Sequence, residues 1–268
     1  MNQKDIQCIN EIKILALDMI NNANSGHPGA VLSQAPILYT LYANYLRVDL
    51  ENPNWINRDR FVLSSGHASA LLYSLLHVCG YDISLNDLRG FRRINSITPG
   101  HPEYKLTPGV ECSTGPLGQG VSTAVGMALA ERYIKSLLDA EEEKTQKVIN
   151  YKTYVMCSDG DLMEGVSYEA LSFAGAQKLN NLVLLYDDNN MSIDGTLDTT
   201  FNENIEKRFE AIGFEAITVK DGSNITQIDK ALNKAQKSTK PVIIIFKTIL
   251  GNGSYNQNTN QVHSGPLS

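Results

Sequence analysis

Apolar positions along the chain fall into two rhythms. Between residues 6 and 20, Ile6, Ile9, Ile12 and Met19 recur at helical spacing and predict an amphipathic opening helix. NNANSGHPGA (21–30) interrupts it with Gly and Pro and reads as a loop. A second helix fits Leu32 to Leu46. RFVLS (60–64) reads as a short buried strand that runs through SGHAS into a helix from about Ala68 to Cys79. Residues 95–118 carry four prolines and four glycines, which predicts a long irregular loop; loops of that length inside a domain are usually functional. It gives way to GQGVSTAVGMALA (118–130), a helix whose first turns are small-residue-rich, so that backbones can approach closely.

From residue 153 the rhythm becomes strand, loop, helix. TYVMC (153–157), NLVLLY (181–186), FEAITV (214–219) and PVIIIFKT (241–248) are apolar runs; helices fit Gly165 to Lys178, Asn204 to Ile212 and Ile225 to Gln236. Continuous apolar strands alternating with helices imply an α/β fold, a parallel sheet flanked by helices on both faces. In such sheets ligands sit beyond the carboxyl ends of the strands. Those ends hold SDGDLMEG (158–165), DDNNMSIDG (187–195) and ILGNGS (249–254).

Composition narrows the function without redirecting it. The 268 residues suffice for a large core, and 42% hydrophobic with 19% charged residues is ordinary for a soluble globular chain. A net charge of -6 without a Lys/Arg cluster argues against a nucleic-acid face. The densest charge run, Glu141 to Lys147, is mixed and reads as a solvated loop or helix end. Cys8, Cys79, Cys112 and Cys157 are scattered, without a CxxC, and read as small apolar residues rather than a disulfide frame. No apolar run reaches membrane-spanning length, and the polar start lacks a signal-peptide core, so a cytoplasmic protein is expected.

Asp159 and Asn189 each follow the carboxyl end of an apolar strand, about one strand–helix–strand unit apart. On neighbouring strands their oxygens would converge, a donor set that suits a hard divalent cation sharing phosphate oxygens, and the Met191 carbonyl could add a third ligand. The same positions also suit a helix cap and a turn. Gly160 removes a side chain where a diphosphate would meet a helix start. STGPLGQG (113–120) is a second Gly-rich start to a helix, a feature that is often purely structural. Of the five histidines, His27, His67, His101 and His263 sit in loops beside Gly or Pro, which points to a shared polar site; His77 lies in a helical apolar stretch. Their spacing does not fit a zinc cluster.

Six segments in order resemble the amino-terminal, diphosphate-binding domain of transketolases: GHPGA (26–30), SSGHASALLYSLLHVCGY (64–81), TPGHPEY (98–104), STGPLGQG, SDGDLMEG and DDNNMSIDG. The closing GNGSYNQNTNQVHSGPLS is similar to that domain's last loop, so the resemblance covers essentially the whole chain as a single domain, 1–268. It implies the thiamin diphosphate-binding fold, with thiamine diphosphate and Mg²⁺ (or Ca²⁺) as cofactors. Asp159, Asn189 and the Met191 carbonyl would hold the metal. His67, Gly115, Pro116, Leu117, Gly160, Asn189 and His263 would touch the cofactor. His27, His67, His101 and His263 would serve the chemistry by binding hydroxyls and moving protons, and Glu164 would join a carboxylate network near a subunit interface.

Two departures stand out. Ser158 replaces the first Gly of the family's GDG. The chain also ends at Ser268, without the pyrimidine-binding and carboxyl-terminal domains, the Glu that activates the aminopyrimidine ring, or the main substrate-phosphate arginines. The resemblance therefore implies a two-chain transketolase acting on sugar phosphates. A separate carboxyl-terminal subunit would carry the pyrimidine domain and activating Glu, in a dimer of heterodimers, with no nucleic acid or membrane involved. Alternatives are the alpha subunit of a 2-oxo acid dehydrogenase, a non-catalytic partner that keeps the fold, or a piece of a longer chain.

Overall fold

The computed structural model describes residues 3–138 and 148–267. Helix α1 (Gln3–Ala23) buries Ile9, Ile12, Ala16, Met19 and Ile20, the stripe that the opening periodicity predicts. Helix α2 (Pro28–Asn44) begins four residues earlier than its apolar run suggests. Pro28 sits at its first turn, where a missing N–H costs nothing, and His27 is its N-cap residue. Strand β1 (Arg60–Leu63), a 3-10 turn at Gly66–Ala68 and α3 (Ser69–Val78) follow as predicted. Helix α4 (Leu85–Arg89) was not expected: it is short, buries only Leu88, and is held by a capping box between Ser84 and Asp87. The predicted loop ends at α5 (Gln119–Leu138). The charge run 141–147 lies outside the described residues.

Strand β2 (Thr153–Ser158), the single-turn α6 (Asp159–Met163), α7 (Gly165–Ala176) and β3 (Leu182–Asp188) come next. A hairpin of β4 (Met191–Ser192) and β5 (Gly195–Thr196) fills what reads in sequence as plain loop. Then come α8 (Ile205–Ala211), β6 (Glu215–Val219), α9 (Ile225–Gln236) and β7 (Val242–Lys247).

The five long strands form one parallel sheet in the order β1-β2-β3-β7-β6. Alternation along each strand splits the side chains between two cores. Tyr154, Met156, Val183, Leu185, Ile244 and Phe246 pack with α1, α2, α3 and α9, whereas Val155, Cys157, Leu184, Tyr186 and Ile243 pack on the opposite face with α5, α7 and α8. The chain runs β1, β2, β3 in one direction, then jumps to the far edge at β6 and returns to β7. That reversal makes the β3–β7 junction the switch point, where a crevice opens at the carboxyl ends. No helix among the described residues is long and apolar enough to cross a membrane. All four cysteines are free, and only Cys157 is fully buried.

Candidate functional site

The β2–β3 register pairs Ser158 with Asp187. Asp159 and Asn189 therefore leave adjacent strands together, as their spacing suggests. Asp159 is buried; one carboxylate oxygen accepts a hydrogen bond from the Tyr186 hydroxyl, and the other has no partner. Burial pushes its carboxyl up to about 7, with the Asp188 and Asp187 charges adding to the effect. An orphaned carboxylate oxygen in a buried position is a group waiting for a cation. Asn189 is also buried, and its side-chain oxygen accepts from the Met191 N–H at 3.0 Å, so the turn role and a place beside Asp159 coexist. Among the described residues no three His, Cys, Asp or Glu side chains cluster as a metal site. The donors here are instead one carboxylate and an amide oxygen, with the Met191 backbone close by. That set fits a hard cation sharing phosphate oxygens.

Asp159, Asn189 and Met191 wall a cleft of about 410 Å³ together with His27, His67, His101 and His263. Four distant loops thus deliver imidazoles to one place. The His27 and His67 rings lie 5.0 Å apart, His27 and His263 5.8 Å, and His67 and His263 6.0 Å. Backbone bonds hold the first and last loops together, Gly265 N–H to the Gly26 carbonyl at 2.8 Å and Gly251 N–H to that of Gly29 at 3.1 Å. Tyr73 and Ser69 on α3 anchor the His101 loop by hydrogen bonds to the His101 and Gly100 carbonyls at 3.1 and 2.7 Å. Burial lowers His67 to about 3, with His27 and His263 adding to the effect. Burial lowers His27 to about 4, with His263, Arg92 and His101 adding. Burial also depresses His101 and His263. The rings are neutral near pH 7, each one a donor and an acceptor. The Nδ1 atoms of His27 and His263 are buried without partners, as expected of groups that face a polar ligand.

Gly115, Leu117 and Gly160 also line this cleft, whereas Pro116 is exposed and does not. A Cβ on Gly160 would lie 2.9 Å from Leu117 Cδ1, so glycine there lets the two Gly-rich segments meet as well as leaving room for a ligand. Glu164 does not line this cleft; it is exposed between α6 and α7. His77 is half-buried, with Nδ1 2.6 Å from the Ile83 carbonyl. A second cleft, of about 670 Å³ and lined by Asp188, Glu203, Glu206 and Lys247, shares the Asp159–Asn189 wall but holds no histidine.

Sequence reasoning missed three residues that set this geometry. Asp187, fully buried, accepts hydrogen bonds from Ser33 at 3.0 Å, Gln34 at 2.9 Å and Thr248, binding α2 and the β7 loop to the end of β3. Asp161, also fully buried, accepts from Ser64 Oγ at 2.6 Å, Gly118 N–H at 2.9 Å and Ser158 N–H at 3.0 Å, which joins three ligand-bearing loops. Tyr186 holds Asp159. An acidic residue abutting a continuous apolar strand was the available signal for Asp187.

A parallel sheet with a carboxylate–amide pair near its switch point and a ring of neutral histidines belongs to the class of α/β domains that hold a phosphorylated cofactor. The family described as transketolase, thiamine diphosphate binding domain, matches residues 4–268. The transketolase of Bacillus subtilis is 51% identical over 96% of this chain and 38% of its own length, and that of Aquifex aeolicus 49% over 97% and 37%. The structure of Campylobacter jejuni transketolase superposes with a TM-score of 0.94 at 50% identity, covering 100% of this chain and 41% of that one. A Pichia stipitis transketolase complex with sedoheptulose 7-phosphate gives 0.95 at 44%, covering 98% and 39%. The chain belongs to the transketolase family as its thiamine diphosphate binding domain, and thiamine diphosphate with a divalent metal is the family's cofactor. The chain spans about two fifths of the length of these relatives.

Proposed function

We propose that this chain is the diphosphate-anchoring part of a transketolase, completed by a second polypeptide that carries the pyrimidine site and its activating Glu. The reaction is transfer of a two-carbon ketol unit from a ketose phosphate to an aldose phosphate. The observation that carries the reading is the orphaned Asp159 oxygen, which opens on the same cleft as three mutually close histidine rings. Asp159, Asn189 and the Met191 carbonyl would hold Mg²⁺ or Ca²⁺, which would tie down the diphosphate. His67, His263, Gly115, Leu117 and Gly160 would line the cofactor. Pro116 would act by fixing the turn, since it does not reach the cleft. When bound, the cofactor supplies the nucleophilic carbon and electron sink for cleavage beside a ketose carbonyl.

His27, His101 and His263 would bind sugar hydroxyls and move protons at those oxygens. Neutral imidazoles suit this, because each can accept from one hydroxyl and donate to the next. Glu164, exposed at the start of α7, would act at an interface with another subunit. The expected assembly is a dimer of heterodimers. Four free, scattered cysteines support a reducing, cytoplasmic setting.

The test mixes this chain with its partner, Mg²⁺ and thiamine diphosphate and assays ketol transfer. Activity in the mixture and none from either chain alone is expected. Full turnover by this chain alone would overturn the split arrangement. Release of CO₂ from a 2-oxo acid in place of ketol transfer would favour a dehydrogenase alpha subunit.

A further inference from the structure

Gln34 is a fully buried residue of α2 that the proposed chemistry does not use. Glutamine is mostly an exposed residue, so its place in the interior needs a reason. It stands one helical turn beyond Ala30, on the same side of the helix, and both line the histidine cleft. Its Nε2 donates to an Asp187 oxygen at 2.9 Å, and Ser33 Oγ donates to the same oxygen at 3.0 Å. That bond fixes which way the carboxamide points. Turned over, Oε1 would face a carboxylate that accepts from every neighbour and has no hydrogen to give. The amide oxygen is therefore the free end, and it has no partner.

Four buried side-chain polar atoms that lack a partner among the described residues line this one cleft: His27 Nδ1, His263 Nδ1, Asp159 Oδ2 and Gln34 Oε1. Asp187 ties Gln34 to the Asp159–Asn189 end of the cleft. It stands two residues before Asn189, and its partner in register is Ser158, next to Asp159. The Asn189 side chain also hydrogen-bonds to Asp187, helping to offset the cost of burying that carboxylate. Because the Asn189 oxygen accepts from the Met191 N–H, its amide nitrogen is the end that meets Asp187. Both carboxamides thus hold Asp187 by their nitrogens and keep their oxygens turned away from it. A diphosphate could not satisfy Gln34 Oε1, since its oxygens accept and do not donate. A cation or a water on that cation could. Asp159, Asn189 and the Met191 carbonyl would take three places on a hard divalent cation and diphosphate oxygens further ones, which leaves water to complete the shell.

We infer that Gln34, oriented by Asp187, is a positioning residue of the metal site: its Oε1 accepts a hydrogen bond from a water bound to the divalent cation. The inference rests on the proposed metal ligands. Its rivals are Gln34 as a direct ligand and Gln34 as a plain support for Asp187.

Mn²⁺ in place of Mg²⁺ gives a spectroscopic test, in the full chain with its partner and thiamine diphosphate. Gln34→Met keeps the length and the unbranched Cβ and removes both polar ends. The variant should hold Mn²⁺ about tenfold more weakly in an EPR titration, as when a group that orients a metal's ligands is lost. Electron–nuclear double resonance should show the coupling of the exchangeable water protons altered. The number of bound waters, counted with ¹⁷O-labelled water, should stay the same. One water gained would overturn the inference in favour of direct ligation. Water-proton coupling identical to the parent's, whether Mn²⁺ binding weakens or not, would overturn it in favour of a support for Asp187. A second measurement needs no variant. In the parent protein labelled with ¹⁵N in its Gln and Asn side chains, Mg²⁺ with thiamine diphosphate should shift the Gln34 and Asn189 amide signals over the same metal concentrations. A response at Asn189 with none at Gln34 would overturn the role of Gln34 and leave the metal site standing. A parent that binds no Mn²⁺ would overturn the metal reading and this inference together.

Discussion

Asp159, the proposed metal ligand, would trade stability for binding. It is a buried carboxylate with one oxygen satisfied by Tyr186 and the other by nothing. Asp159→Asn keeps the shape and removes the charge. In the absence of metal the variant should be more stable than the parent, by about 1 kcal/mol or more, because an uncompensated buried charge is gone. Its affinity for thiamine diphosphate with Mg²⁺ should fall at least about tenfold, as expected when a metal ligand is weakened. Thermal denaturation and calorimetry on the same preparations check both halves. A variant that loses stability together with affinity would mean that Asp159 is structural.

The histidines set a pH dependence of opposite character. His67 and His27 are pushed down to about 3 and about 4, mainly by burial. Folding holds them neutral, whereas an unfolded chain protonates them near pH 6.5. The unfolded state then binds more protons, so their contribution is fully present above pH 6.5 and lost as pH falls toward 4. The thermal midpoint should drop across that window, and His67→Gln should make the drop shallower. An equal drop in the variant would count against His67 as a source.

At the scale of elements, the cleft depends on loops being joined more than on any one strand. Asp161 accepts from Ser64, Gly118 and Ser158 with no exposure of its own. Asp161→Ala would strand those donors and should cost about 3 kcal/mol. Urea unfolding would show it, and cofactor affinity should fall as well, since the joined segments flank His67, Leu117 and Asp159. Helix α5 offers an internal contrast. A Cβ on Gly120 would meet Ser64 Cα at 2.5 Å, a backbone atom that cannot step aside, whereas Gly126 is exposed with nothing within 4 Å. Gly120→Ala should therefore destabilise, by about 1–3 kcal/mol. Gly126→Ala should stabilise by up to about 1 kcal/mol through helix propensity.

These elements also show what the sequence made legible. The strands were readable because sheets covered on both faces need continuous apolar runs, and Ile225–Gln236 was placed to the residue because one stripe of it is buried and Asn224 caps it. Helices α4 and α6 were not readable, because five residues are too few to show a period. The Asp159–Asn189 convergence was legible from strand ends alone. Asp187 was not, because its partners Ser33 and Gln34 lie more than 150 positions away, and only folding brings them to it. Glu164 looked like a member of the site by motif. It is exposed between two helices and does not line the histidine cleft.

On the proposed two-chain reading, this chain presents one wall of a working site. Met163 and Ile193 stand exposed at the rim of the histidine cleft, 37% and 63%, and Val166 and Phe173 on α7 are each 44% exposed. Val166 and Phe173 are seven residues apart and share one side of the helix, beside Glu164. Apolar surface gathered around a polar cleft suits the docking of the proposed partner chain. If assembly covers α7, Phe173→Glu should abolish association with the partner chain in sedimentation velocity. The chain's own unfolding midpoint should barely change, because Phe173 is part of neither core. The variant should also lose cofactor retention although residue 173 does not line the cleft, because the second wall would be missing. A variant that assembles normally would show that α7 is not the interface. One that fails to assemble yet holds cofactor as tightly as the parent would show that this chain anchors the diphosphate unaided.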